Sequence, residues 1–224
     1  MSRLFRLVSL ALLSSVVSLS PAFASDSVPV PATKTHELAL QTLPGKFIQD
    51  LGDSAIKIIA DKQMPADKRS EAFSQILSDD FDLKTIGRFV IGRTWTSATP
   101  EQQAEYMDLF KALVIRNYGS RMALYTGEGF EVVGTRPETE MDTVVLSQIT
   151  HPDGSQPTAI DWRVRRKEGK MGVIDVVVEG VSLSITQKQE YAAVLQKHGG
   201  QISGLLTEMR EQLKERDAKI TDAN

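Results

Sequence analysis

The chain has 224 residues, 41% hydrophobic and 25% charged, which is enough length for a sizeable core and an ordinary globular composition. Its formal net charge of -3 speaks against a basic nucleic-acid footprint, so nucleic acid is not an expected partner. With no cysteine and three histidines, disulfides, thiolate metal sites and cysteine nucleophiles are excluded, and few imidazole combinations remain.

The first segment sets the expected compartment. Arg3 and Arg6 precede an apolar run from Leu7 to Leu19, and Ala22-Phe23-Ala24 offers the small-x-small pattern of a cleavage site. The run is short of the roughly 20 residues that span a bilayer. Residues 1–24 therefore read as a secretory signal peptide cleaved after Ala24, which exports the chain and leaves it more acidic. Residues 25–43, with Pro29 and Pro31, read as a flexible lead-in.

Helical periodicity follows. Phe47, Ile48, Leu51, Ala55, Ile58 and Ile59 predict a helix between Pro44 and Asp61. Pro65 suits the first position of a second helix carrying Phe73, Ile76 and Leu77, with Ser78-Asp79-Asp80 as an interruption. Leu83, Ile86, Phe89 and Val90 mark a short third helix ending near Gly92. The clearest signal is Thr99-Pro100 with Gln102, a capping box that opens a long helix running toward Tyr125 and Gly127. Its apolar residues cover more than half of the circumference, so it must be buried from two sides or line a cavity.

The second half changes to a period of two. Phe130–Thr135, Thr143–Thr150, Thr158–Arg166 and Gly172–Ile185 read as strands, and short connectors such as Pro152-Asp153-Gly154 and Glu168-Gly169 imply antiparallel hairpins. In the last strand Ile174, Val176 and Val178 form one apolar face, and the buried parity switches at Glu179-Gly180, as a bulge or bend would cause. Helical spacing returns around Tyr191, Val194 and Leu195, breaks at Gly199-Gly200, and resumes with Ile202, Leu205, Leu206, Met209 and Leu213. Residues 214–224 read as a charged, fraying tail.

Chemistry is scarce. His36, His151 and His198 stand apart from one another without metal-ligand spacing. Gly180-Val181-Ser182-Leu183-Ser184 lacks the second glycine of a nucleophile elbow. Asp79, Asp80 and Asp82 lack the pattern of a calcium loop and suit helix capping. Arg163, Arg165, Arg166 and Lys167 fit either an anionic partner or, better, a solvated strand face. No catalytic residue, metal or cofactor is expected.

Several segments together resemble the MlaC-type periplasmic phospholipid-binding proteins, also called the toluene-tolerance auxiliary family. They are Phe89-Val90-Ile91-Gly92, Trp95, Ser97 to Gln102, Tyr106, Phe110, Tyr118-Gly119, Met122 to Tyr125, Asp175 to Ser182, Thr186 to Gln189 and Gly199-Gly200. The likeness spans about residues 45 to 213, within a domain drawn at 44–213. It implies an α+β fold: helices packed over a curved antiparallel sheet of about four strands, with an apolar cavity between them. It also implies a non-enzymatic carrier of phospholipid between the outer and inner membranes. The implied partners are phospholipid, an inner-membrane lipid ABC transporter complex and an outer-membrane lipoprotein complex. Motif position and side-chain direction then nominate Phe89, Tyr106, Phe110, Leu113, Val114, Tyr118, Met122, Trp162, Ile174, Val176 and Val178 as lipid-binding. Three alternatives stand beside this reading. One is a small-ligand enzyme of helix-on-sheet cone shape, with Asp175 or Glu179 and a tyrosine as acid and base. The others are a carrier of hopanoid or another lipid, and a scaffold that binds only proteins.

Overall fold

Side-chain caps fix where the helices start. The computed structural model describes residues 38–39, 41–119 and 127–221, with backbone alone for residues 66, 118–119 and 216–221. The expected signal peptide, most of the lead-in, and the end of the long helix at residues 120–126 lie outside the described residues. Helix α1 spans Leu43–Ala60, and the hydroxyl of Thr42 accepts from the Gly45 amide at 3.1 Å. Helix α2 is Ala66–Asp80, with Pro65 just before its first turn. Asp82 caps α3 (Leu83–Ile91) by accepting from the Thr85 amide at 2.9 Å, the capping role expected of that acidic cluster. The short α4 (Thr94–Ser97) leads to α5 (Pro100–Gly119). There the capping box forms as expected: the Thr99 amide donates to Gln102 at 3.0 Å, and the Gln102 amide donates to Thr99 at 3.3 Å.

The sheet is a meander of five antiparallel strands in sequence order. These are β1 (Gly129–Pro137), β2 (Asp142–Thr150), β3 (Thr158–Lys167), β4 (Lys170–Val178) and the two-residue β5 (Val181–Ser182). Two-residue turns with positive φ at both positions close the last two hairpins, Glu168-Gly169 at 52° and 78° and Glu179-Gly180 at 49° and 80°. This is the type I′ geometry that matches strand twist. Helices α6 (Leu183–Lys197) and α7 (Ile202–Thr221) follow.

Four expectations change. Gly172–Ile185 is not one strand: the parity switch at Glu179-Gly180 is a complete turn, and the chain turns helical after Ser182. The Ser182 hydroxyl accepts from the Ile185 amide at 3.1 Å, so what resembles alternation after Gly180 is an N-cap and a first helical turn. The Ile174-Val176-Val178 face is interrupted as well. Arg163 pairs with Asp175 but Val164 pairs with Val173, which leaves Ile174 as the extra residue of a β-bulge. Met171 and Val173 before the bulge share a face with Val176 and Val178 after it. Ser78-Asp79-Asp80 lies inside α2, and α7 continues through Lys214 to Thr221.

Two apolar cores result. On one side α1 packs on β1 and β2, and Ile48 and Leu51 meet Val132, Val145, Val164 and Val173 from the strands. On the other, α3, α5, α6 and α7 enclose a core made by helices alone, with Val90, Tyr106, Phe110, Tyr191, Leu205 and Met209 at its centre. Helix α5 packs against α7, α2 and α3, which accounts for its broad apolar circumference.

Candidate functional site

Strand register sorts the inner sheet face into rows. Val132, Ser147, Ile160 and Val178 are successive partners across β1 to β4, and Val145, Trp162 and Val176 form the next row. Trp162 sits between two other aromatic rings, edge-on to Phe81 at 6.4 Å and to Phe130 at 6.1 Å. Its indole N–H donates to Ser147 Oγ at 2.9 Å, and that hydroxyl donates to the Ile160 carbonyl at 2.7 Å. These two polar groups are thus satisfied within the face. Phe47, Phe81, Phe130, Trp162, Met171 and Val176 are only partly buried around the fully buried valines. The side chains of this face leave part of its apolar area uncovered.

The expected site residues divide into groups. Trp162 and Val176 belong to this sheet-side cluster, and Val178 lies in the adjoining row. Ile174 is buried but occupies the bulge. Tyr106, Phe110 and Leu113 are buried in the helical core, with Val114 packed against it. Tyr106 stacks on Phe110 at 5.9 Å and meets Tyr191 edge-on at 6.3 Å. Its hydroxyl donates to the Gly87 carbonyl at 2.9 Å. Phe89 is 43% exposed and lies under the Lys188 ammonium at 4.4 Å. The Tyr118 side chain and all of Met122 lie outside the described residues. The expected helix wall and strand wall therefore sit in different clusters.

Sequence reasoning missed Phe81, Phe130 and Val145 as members of the sheet-side cluster. Phe130 and Val145 fall within segments read as strands, so their inward parity was available once the register was known. Phe81 had no such signal. It reaches Val173 through a parallel bridge at the end of α2, a contact between distant parts of the chain.

Several ionisable groups have structural partners. Arg165 makes two bonds of 2.7 Å to the Asp142 carboxylate, and that bonding holds the Asp142 carboxyl below its ordinary range. Arg163 lies 2.7 Å from Glu138. Half of the basic strand cluster is thus engaged by carboxylates on neighbouring segments. The two carboxylates of the acid–base alternative are also engaged. Asp175 is buried and accepts from the Ser182 hydroxyl at 2.6 Å and the Ser184 amide at 3.1 Å, which ties β4 to the start of α6. Glu179 accepts from the Ala159 amide at 2.6 Å. Burial pushes the Tyr106 and Tyr191 phenols well above their ordinary value, so both stay neutral. His151 pairs with the Thr158 hydroxyl at 3.0 Å and His198 with Glu208 at 2.9 Å. Among the described residues no three metal-binding side chains gather, and no helix is long and apolar enough to cross a membrane.

A family model described as MlaC protein matches residues 49–211. Among curated proteins, the toluene tolerance protein ttg2D of Pseudomonas putida is similar, at 21% identity over 133 residues. That match covers 59% of this chain, and the chain spans 61% of that relative's length. A phospholipid-binding protein from Ralstonia solanacearum, solved in complex with a phospholipid, matches with a TM-score of 0.68 and 28% identity. The match covers 77% of this chain and 97% of that one.

Proposed function

The chain belongs to the MlaC protein family, and from that premise we propose that it is an exported, non-enzymatic carrier that holds the acyl chains of a phospholipid against the inner face of its sheet. The phospholipid in the Ralstonia structure supports the cargo class. The observation that carries the reading for this chain is the incompletely covered apolar face around Trp162, whose polar atoms are already satisfied. Acyl chains need an apolar wall and no polar partner.

Energetics explain why such a wall suffices. At about 0.8 kcal/mol per CH₂, burying about 30 methylenes from water is favourable by roughly 24 kcal/mol. Leaving a bilayer forfeits nearly the same amount, so a carrier must offer a comparably dry surface for transfer to be near balance. The head group can stay in water.

Export belongs to the same reading. Cleavage after Ala24 would deliver the chain to the periplasm, where shuttling between membranes needs an inner-membrane transporter complex and an outer-membrane lipoprotein complex as docking partners. The resemblance supports those partners, and the sequence pattern supports export.

The test is native mass spectrometry and lipid extraction of the exported protein purified without detergent. Phospholipid should co-purify at a defined stoichiometry, on a chain beginning at Ser25. Val178→Glu should reduce loading several-fold more than Leu206→Ala, which loosens the helical core. Recovery of no lipid, with no uptake from vesicles, would overturn the carrier reading.

A further inference from the structure

Helices α3 and α6 pack side by side, and their shared outer surface presents apolar side chains where solvent would favour polar ones. Phe89 on α3 is 43% exposed and Ile185 on α6 49%, and Val181, in β5 just before α6, is 43% exposed. Lys188 links Ile185 to Phe89: it lies one helical turn after Ile185, and its ammonium sits 4.4 Å from the Phe89 ring centre. Arg88, next to Phe89, lies 5.4 Å over the Trp95 ring. Lys84, one turn before Arg88, and Arg93, just after α3, are also exposed. Arg88 and Lys188 meet aromatic rings rather than carboxylates in the contacts they make. Around Phe89 and Ile185 the surface is thus basic and apolar on a chain whose formal net charge is -3.

From this juxtaposition we propose that the α3–α6 surface docks the protein on anionic phospholipid bilayers, with Phe89, Val181 and Ile185 at the acyl boundary and Arg88 and Lys188 on head-group phosphates. Charge complementarity selects the bilayer. An anionic lipid interface takes up cations at its phosphates and protruding apolar tips at its acyl boundary together. Three small apolar contacts give weak, reversible attachment, as a protein that must leave again requires. Docking does not depend on cargo. Flotation with vesicles reads it whether or not lipid is extracted, so its failure is distinguishable from failure of the carrier reading.

The experiment uses the exported chain with vesicles of phosphatidylcholine alone and of phosphatidylcholine mixed with phosphatidylglycerol. Binding should favour the mixed vesicles and fall with salt, vanishing as the screening length nears about 3 Å at 1 M. Ile185→Ser should weaken it several-fold on mixed vesicles. Arg88→Glu combined with Lys188→Glu should weaken it by about tenfold or more, and Lys188→Arg should retain it. If Ile185→Ser fails to fold, the charge-reversed variant, confined to surface side chains, carries the test. Equal binding to both vesicle types, or unchanged binding by the charge-reversed variant, overturns the proposal. So does a loss confined to protein–protein docking, which would make the surface a protein interface.

Discussion

Gly52 is the residue on which the sheet-side core closes. A Cβ there would lie 2.2 Å from the Phe130 ring, so α1 rests on β1 at a distance only glycine permits. Gly52→Ala should lower the unfolding free energy by about 1–3 kcal/mol through overpacking, read by denaturant titration. An unchanged midpoint would mean that the ring moves aside freely. Tyr106 makes a different kind of contact. Its hydroxyl serves the Gly87 carbonyl inside the helical core, so Tyr106→Phe should cost about 1–3 kcal/mol while keeping the ring contacts. The apolar character of Tyr106 and Phe110 was legible from helical spacing. The role of Gly52 was not, because its partner lies on a strand far along the chain.

At the scale of elements, the caps and hairpins follow local chemistry and were largely readable. Thr99 with Gln102 forms its box, and Glu168-Gly169 forms its turn. Glu168 holds a φ of 52°, which asparagine tolerates better, so Glu168→Asn should stabilise the hairpin by about 0.5–1 kcal/mol in thermal unfolding. The bulge at Ile174 was hidden because Val173 and Ile174 are both apolar, and a period-two pattern continues across them unchanged. Pairing across the strands also gives an acid dependence. Asp142 has a carboxyl lowered in the folded state, so its ion pair with Arg165 contributes fully above the unfolded value of about 3.9. That contribution is lost as pH falls through the lower folded value. Asp142→Asn should cost about 2 kcal/mol at neutral pH and flatten the acid limb of stability against pH. A variant that keeps the parent's acid limb would assign it to other carboxylates.

The described residues of the whole molecule gather into two interiors, and this is where the sequence was least informative. The periodicities of α5 and of the strands each announce an apolar face, but neither says what covers it. The helices α6 and α7, which follow the sheet in sequence, return to share a core with α5, while α1 covers β1 and β2. Which faces meet is decided by connections between distant segments, which periodicity does not encode. The consequence is measurable. A bound lipid stabilises only the folded form, by RT ln(1 + [L]/Kd), or about 2.7 kcal/mol at a hundredfold excess over Kd. Part of that gain appears as suppressed local opening in the elements the ligand touches. If the acyl chains lie on the Trp162 face, loading should slow amide exchange most in α1 and β1 to β4. The helical core of α5, α6 and α7, already closed around Tyr106, should change little beyond the shared global term. Comparing hydrogen exchange in lipid-loaded and delipidated protein separates the two cases. Protection concentrated in α5 to α7 would move the tails into the helical core and restore Tyr106, Phe110 and Leu113 as their wall.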